Sequence, residues 1–290
     1  MLVPRPEKRE AARMDESAGG YLIIIGGAED KTGESLILKQ VPQMISETDF
    51  LTVLTTATEH PQEVGRNYRE VFGKLGVKKI RILDIGSREQ ANRPENCDAV
   101  RQSKCVFFTG GDQLRITSIL GGTRVGEELR SLYRSGGIVM GTSAGASAMT
   151  STMVVQGNDN EPARKCTLKM APGLGLLSGV IVDQHFDQRG RFGRLLCGVA
   201  ENPDALGIGI DEDTAIKLYP DLHFEVIGSN AVTVIDGTTI QSSNVSELRP
   251  DEILSITGVT VHALPQGYGF ELKSRKVLRL SDEKRNHTNH

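Results

Sequence analysis

Gly141-Thr142-Ser143-Ala144-Gly145 sets a serine between two glycines, directly after the apolar run GGIVM and directly before the small residues of ASAM. A G-x-S-x-G at a strand-to-helix turn lifts the serine hydroxyl clear of the sheet, and its glycines let neighbouring backbone approach closely. The turn also leaves Ser143 near a helix N-terminus, whose free amides and dipole favour a developing oxyanion. Acyl transfer with Ser143 as nucleophile is the chemistry this arrangement fits. A merely structural glycine turn is the bland alternative, because the five-residue pattern also arises by chance. The strand before it and the helix after it favour the nucleophile. Thr142 and Ser147 read as packing or capping residues.

A serine hydroxyl is a weak nucleophile and needs a base within hydrogen-bond reach. His60 follows a strand, His223 and His262 lie in a late β-rich region, and His287 and His290 belong to a polar end. His185 closes the run GVIVDQHF, flanked by Asp183, Gln184 and Asp187, so a strand end delivers it to the serine's edge of the sheet. A carboxylate should hold its imidazole in the right tautomer. Two candidates stand. Glu212 ends the run LGIGID and is preferred on that ground; Glu161 lies in the polar loop QGNDNEPARK between the serine and the histidine.

The elements that must position these groups are legible as alternating patterns. Near-continuous apolar runs at 21–27, 49–57, 78–86, 105–111, 136–142 and 179–186 predict strands of a parallel sheet covered on both faces. Between them, 34–47, 61–76 and 112–135 predict helices, the last interrupted at Gly121-Gly122. This is a doubly wound, mostly parallel α/β sheet with helices on both faces. Beyond about residue 204, ALGIGIDEDTAIKLY, FEVIGSNAVTVIDG and VTVHALPQGYGFEL predict an antiparallel β extension of the same sheet. One domain is expected over 21–275, with a disordered arm at 1–20 and a polar tail at 276–290. Ligands of such sheets bind beyond the carboxyl ends of the strands. Here those ends read GGAED, TGGD, GTSAG, DQHF and GIDED.

Composition narrows the partners. The 290 residues are 38% hydrophobic and 24% charged with a net charge of −3, a globular balance with no general attraction for nucleic acid or anionic membrane. No window approaches the ~18 apolar residues of a membrane span. The start lacks the apolar stretch of a secretory signal, so a cytoplasmic protein is expected. Cys97, Cys105, Cys166 and Cys197 have no metal-ligand spacing and read as free thiols. No metal or organic cofactor is expected. GGAED and TGGD lack the full spacing of a nucleotide loop.

Taken together, GGAED, TGGDQ, GTSAGA, DQHFDQRGRFGRLL and GIGIDEDTAI resemble the serine peptidase family of aspartyl dipeptidases and cyanophycinases, over roughly residues 20–270 and most nearly its cyanophycinase branch. The resemblance implies a class I glutamine amidotransferase-like fold and a Ser-His-Glu triad of Ser143 and His185 with Glu212 or Glu161. It also implies a homodimer, and as substrate cyanophycin, a polyaspartate carrying arginine on each side-chain carboxylate and released as β-Asp-Arg dipeptides. Asp183 and Gln184 would then offer acceptors to a substrate guanidinium, and Arg189, Arg191 and Arg194 would clamp carboxylates through paired N–H groups. A solvated helix face is the bland reading of those arginines. Gly111 and Asp112 resemble the family's loop opposite the nucleophile, where an amide of Gly111 would join that of Ala144 in the oxyanion hole and Asp112 would meet substrate. An α-aspartyl dipeptidase and a catalytically silent binding protein on this fold are the alternatives.

Overall fold

The computed structural model describes residues 19–165 and 168–280. Most of the expected arm, the end of the expected tail, Cys166, His287 and His290 therefore lie outside the described residues.

Five parallel strands come first: β1 (Tyr21–Ile25), β2 (Phe50–Leu54), β3 (Lys79–Leu83), β4 (Ser103–Phe108) and β5 (Ile138–Thr142), in the spatial order β1-β5-β4-β2-β3. Their apolar runs are buried on both faces because alternate side chains enter different cores. Ile23 and Ile25 join Tyr68 and Phe72 of helix α2 (Pro61–Lys74) and Val41 of α1 (Gln40–Met44). Leu22 and Ile24 join the opposite core, with Cys97 of α3 (Pro94–Arg101), Ile116 of α4 (Gln113–Leu120) and Leu129 of α5 (Arg124–Arg134). Each such fully buried aliphatic side chain contributes roughly 1.5–3 kcal/mol.

The stretch 112–135 divides as its glycines predict. Asp112 caps α4 by accepting from the amides of Leu114 and Arg115, and Thr123 caps α5 by accepting from Gly126. Gly122 between them has φ +66°, open to glycine at little cost. The helix expected over 34–47 is shorter, with only Gln40–Met44 helical.

The fold departs from expectation in its sixth parallel strand. After helix α6 (Ala144–Ala148) and the hairpin β6 (Thr152–Gly157) and β7 (Leu168–Pro172), β8 (Val180–Gln184) does not enter the main sheet. It pairs in parallel with β9 (Leu206–Ile210) in a second, four-stranded sheet. The edge of β1 away from β5 is taken by antiparallel β10 (Thr214–Leu218). β10 continues the main sheet through β11 (His223–Gly228), while β12 (Ala231–Asp236) crosses to the second. After the two-residue strands β13 (Ser242–Ser243) and β14 (Ile256–Thr257), β15 (Thr260–Pro265) closes the second sheet and β16 (Tyr268–Glu271) rejoins the first. The late β region therefore splits between two sheets. Residues 276–279, expected in the tail, form the edge strand β17 (Lys276–Arg279) against β16.

The second sheet lays Val180, Val182, Ile208 and Val234 on the core it shares with Leu22 and Ile24, and its outer face is covered by α7 (Phe192–Glu201) through Leu195 and Val199. The result is layered: α1 and α2, main sheet, second sheet with α3–α6, then α7. No helix among the described residues is long and apolar enough to cross a membrane.

Candidate active site

Ser143 sits between β5 and α6 with φ 52° and ψ −113°. A serine held there carries backbone strain of about 1–3 kcal/mol, which the surroundings must enforce. They do so by contact. A Cβ on Gly141 would lie 2.7 Å from the Gly145 carbonyl, and one on Gly145 would lie 2.7 Å from that of Phe108, so both motif glycines are demanded by packing. The Ser143 amide donates to the Ile25 carbonyl at 3.1 Å.

His185 follows β8 with φ 47°, and its amide donates to the Gly26 carbonyl at 2.8 Å. This bond brings the base to the nucleophile although the two strands belong to different sheets. His185 Nε2 lies 3.0 Å from Ser143 Oγ, and Nδ1 lies 2.6 Å from Glu212 Oε1. With Nδ1–H donating to the Glu212 carboxylate, Nε2 keeps its lone pair for the serine proton. Burial is the largest influence on the imidazole and lowers its pKa, opposed by the Glu212 hydrogen bond and assisted by the Arg189 charge. A lowered pKa keeps the ring neutral, the form in which it accepts a proton. Glu212 is itself held: its amide donates to Gln188 Oε1, and its carbonyl accepts from Asn230. Of the two candidate carboxylates only Glu212 bonds the imidazole. Glu161 is exposed and accepts from Asn158 within its own loop.

Across from the serine runs Gly110-Gly111-Asp112. A Cβ on Gly110 would lie 3.5 Å from that of Ser143, which puts this turn against the nucleophile. Gly111 has φ +143°, and a Cβ there would lie 2.1 Å from the Ala57 carbonyl. Ala144 opens α6, so its amide has no partner within the helix. The Asp112 side chain, expected to meet substrate, is engaged as the α4 cap.

The stretch after β8 differs most from expectation. Asp183 and Gln184, read as acceptors for a substrate guanidinium, are 1% and 8% exposed and accept from the chain's own arginines. Arg194 forks onto Asp183 through Nε and Nη2 at 2.6 and 2.5 Å. Arg191 Nη1 donates to Gln184 Oε1 at 2.6 Å, and Asp159 joins both guanidinium groups at 2.8 and 3.1 Å. A carboxylate buried at a strand end must be paired, since an uncompensated charge there is costly. Arg191 and Arg194 are thus committed internally, and Arg189 alone of the three is exposed. Arg194→Ala would take both hydrogen bonds from the buried Asp183 carboxylate and leave it with Arg191 Nη1 at 3.5 Å, with an expected loss of about 3–5 kcal/mol in urea unfolding. A loss under 1 kcal/mol would mean the pair is idle.

Sequence reasoning overlooked the loop after β1. Its carbonyls at Ile25, Gly26 and Gly27 accept, in order, from Ser143, His185 and Asp213. A Cβ on Gly27 would lie 2.3 Å from the His185 ring. The paired glycines of GGAED were the signal available, and they read only as a strand end.

A serine on a strained strand-to-helix turn, relayed through histidine to glutamate, is the site of a serine hydrolase. Residues 22–253 match the profile of peptidase family S51, and the chain belongs to that family, as a serine-type peptidase. A cyanophycinase of Trichormus variabilis is 38% identical over 92% of this chain and 90% of its own length. One from Geminocystis herdmanii is 34% identical over 89% and 95%, and one from Synechococcus elongatus 35% over 89% and 81%. A solved peptidase from an acI-B1 actinobacterium has a TM-score of 0.64, covering 89% of this chain and 98% of that one at 22% identity, a likeness of fold.

Proposed function

We propose that this chain hydrolyses cyanophycin as an exopeptidase, releasing β-Asp-Arg dipeptides through an acyl-enzyme. The observation that carries the proposal is the relay of 3.0 and 2.6 Å from Ser143 through His185 to Glu212, in a chain 34–38% identical to the three cyanophycinases named above. Ser143 Oγ attacks the scissile carbonyl carbon as His185 Nε2 takes its proton. The amides of Ala144 and Gly111 hold the oxyanion. His185 then gives the proton to the leaving amine, and water, activated by the same nitrogen, releases the acyl group. Glu212 keeps the imidazole oriented and offsets its positive charge. A homodimer is part of the same reading and rests on the family resemblance, and a cytoplasmic location is proposed with it.

Arg189 is the residue we assign to a substrate carboxylate, because it is exposed beside His185 while its two neighbours are committed to Asp183, Gln184 and Asp159. Losing a charge-assisted contact costs ~1.5–3 kcal/mol, so Arg189→Ala should lower kcat/KM for cyanophycin by ~10- to 150-fold. Hydrolysis of a small activated ester at alkaline pH should hold. The same substitution removes a charge that lowers the His185 pKa. That pKa then rises, and the acidic limb of the ester profile moves to higher pH. Unchanged polymer kinetics would leave Arg189 a solvated side chain. The proposal as a whole is tested by incubating the protein with purified cyanophycin and weighing the products. β-Asp-Arg is expected; turnover of Asp-X dipeptides with polymer left intact would favour an α-aspartyl dipeptidase.

A further inference from the structure

A carboxylate is buried behind the nucleophile turn, and none of the steps above uses it. Glu29 closes the GGAED loop with its side chain 1% exposed. Its oxygens are both taken. Oε2 accepts from Thr142 Oγ1 at 2.5 Å; Oε1 accepts from Tyr68 at 2.5 Å and faces Lys31 Nζ at 3.0 Å. Thr142 is the last residue of β5, joined by a single peptide bond to Ser143. Glu29 therefore holds the turn from the α2 side of the sheet, while the serine hydroxyl works beyond the strand ends.

The loop that carries Glu29 is unusual in what it grips. Three successive carbonyls take the amides of the nucleophile, the base and the residue after the glutamate, at 3.1, 2.8 and 2.9 Å. Gly27 and Ala28 wind through positive φ, 103° and 47°, so that the next side chain turns back beneath Thr142. Asp30 continues the clamp, its amide donating to Asp213 Oδ1 at 2.8 Å. Packing alone would not call for a carboxylate, because a well-fitted apolar side chain at a buried site is generally no less stable than an ion pair. What a carboxylate adds is the ability to accept from two hydroxyls at once and to hold them at fixed directions.

We infer that Glu29 is a positioning residue: through Thr142 it fixes the strained nucleophile turn against the loop that also holds His185 and the Glu212 segment. The inference rests on Ser143 being the nucleophile. A glutamine keeps one acceptor in place of two: its NH₂ must donate where the carboxylate accepted, so one of the two hydroxyls has to turn its own proton elsewhere, and the charge that faces Lys31 is lost. A displacement of the order of 1 Å at a nucleophile costs ~100-fold in rate.

The test compares Glu29→Gln, Thr142→Val and Thr142→Ser with wild type, using a small serine-directed phosphonate and a small activated ester as probes. Neither probe reaches a remote specificity site. Glu29→Gln and Thr142→Val are expected to lower the phosphonylation rate and the ester kcat by ~10- to 100-fold, with KM within about twofold. Thr142→Ser keeps the hydroxyl and should stay within about threefold of wild type. The Glu29→Gln/Thr142→Val double variant should be no slower than the slower single variant, because both break one link. Rates are compared per folded molecule, so a lowered Tm alone does not imitate the effect. Wild-type phosphonylation rates in folded Glu29→Gln or in folded Thr142→Val would overturn the positioning role. Wild-type protein labelled at a residue other than Ser143 would overturn the nucleophile assignment, and this inference with it.

Discussion

Ser143→Ala is expected to lower kcat by about a million-fold on cyanophycin and on a small ester alike, while the melting temperature hardly moves. The magnitude follows from removing the nucleophile of a unit whose members act together. Neutral stability follows from the surroundings. The hydroxyl's one bond is to His185, and the turn is enforced by the Ser143 amide, Gly141 and Gly145, none of which the substitution touches. Alanine meets the same positive φ as serine at similar cost. Activity above a tenth of wild type would remove Ser143 from the mechanism.

Glu212→Gln should be the next most damaging change, by ~10⁴-fold in kcat with KM nearly constant. The carboxamide can turn its NH₂ to the imidazole, which favours the tautomer with its proton on Nε2. That nitrogen then donates to Ser143 instead of accepting from it. The fold should persist, because the Glu212 backbone keeps its bonds to Gln188 and Asn230. Glu161→Gln disturbs only a loop contact with Asn158 and should cost less than threefold in either constant. The reverse ranking in paired steady-state kinetics would transfer the role to Glu161.

Why Glu212 and His185 were legible, and their surroundings less so, has a physical reason. Ser143, His185 and Glu212 each stand where an apolar run stops, and a strand's end is marked in the sequence by the loss of hydrophobic pattern. That mark fixes where a residue lies along its strand. It says nothing about which strand lies alongside, so β8 read equally well as a sixth parallel neighbour and as a member of a second sheet. Burial of Val180 and Val182 on the shared core satisfies the same pattern in both arrangements. Charge was the other blind spot. Asp183 and Arg194 are eleven residues apart, and their pairing depends on α7 folding back over the second sheet, which no local spacing encodes. Glu29 was hidden for a related reason: Thr142 and Tyr68 reach it across 113 and 39 residues. The glycines were half legible. Gly141 and Gly145 belong to a motif, whereas the need for Gly27 arises from a histidine ring supplied by another sheet.

The most direct test of the central claim is to catch the acyl-enzyme on cyanophycin itself. Protein mixed with excess polymer, quenched in acid within the first turnovers and digested, should yield the peptide containing Ser143 esterified by one or more β-Asp-Arg units, one if cleavage proceeds from the amino end and the remaining polymer if from the carboxyl end. That adduct should be absent from Ser143→Ala and, once formed at neutral pH, should persist when the pH is dropped, because protonated His185 cannot activate the deacylating water. Release of β-Asp-Arg with Ser143 unmodified at every quench time and pH, and undiminished in Ser143→Ala, would contradict the account.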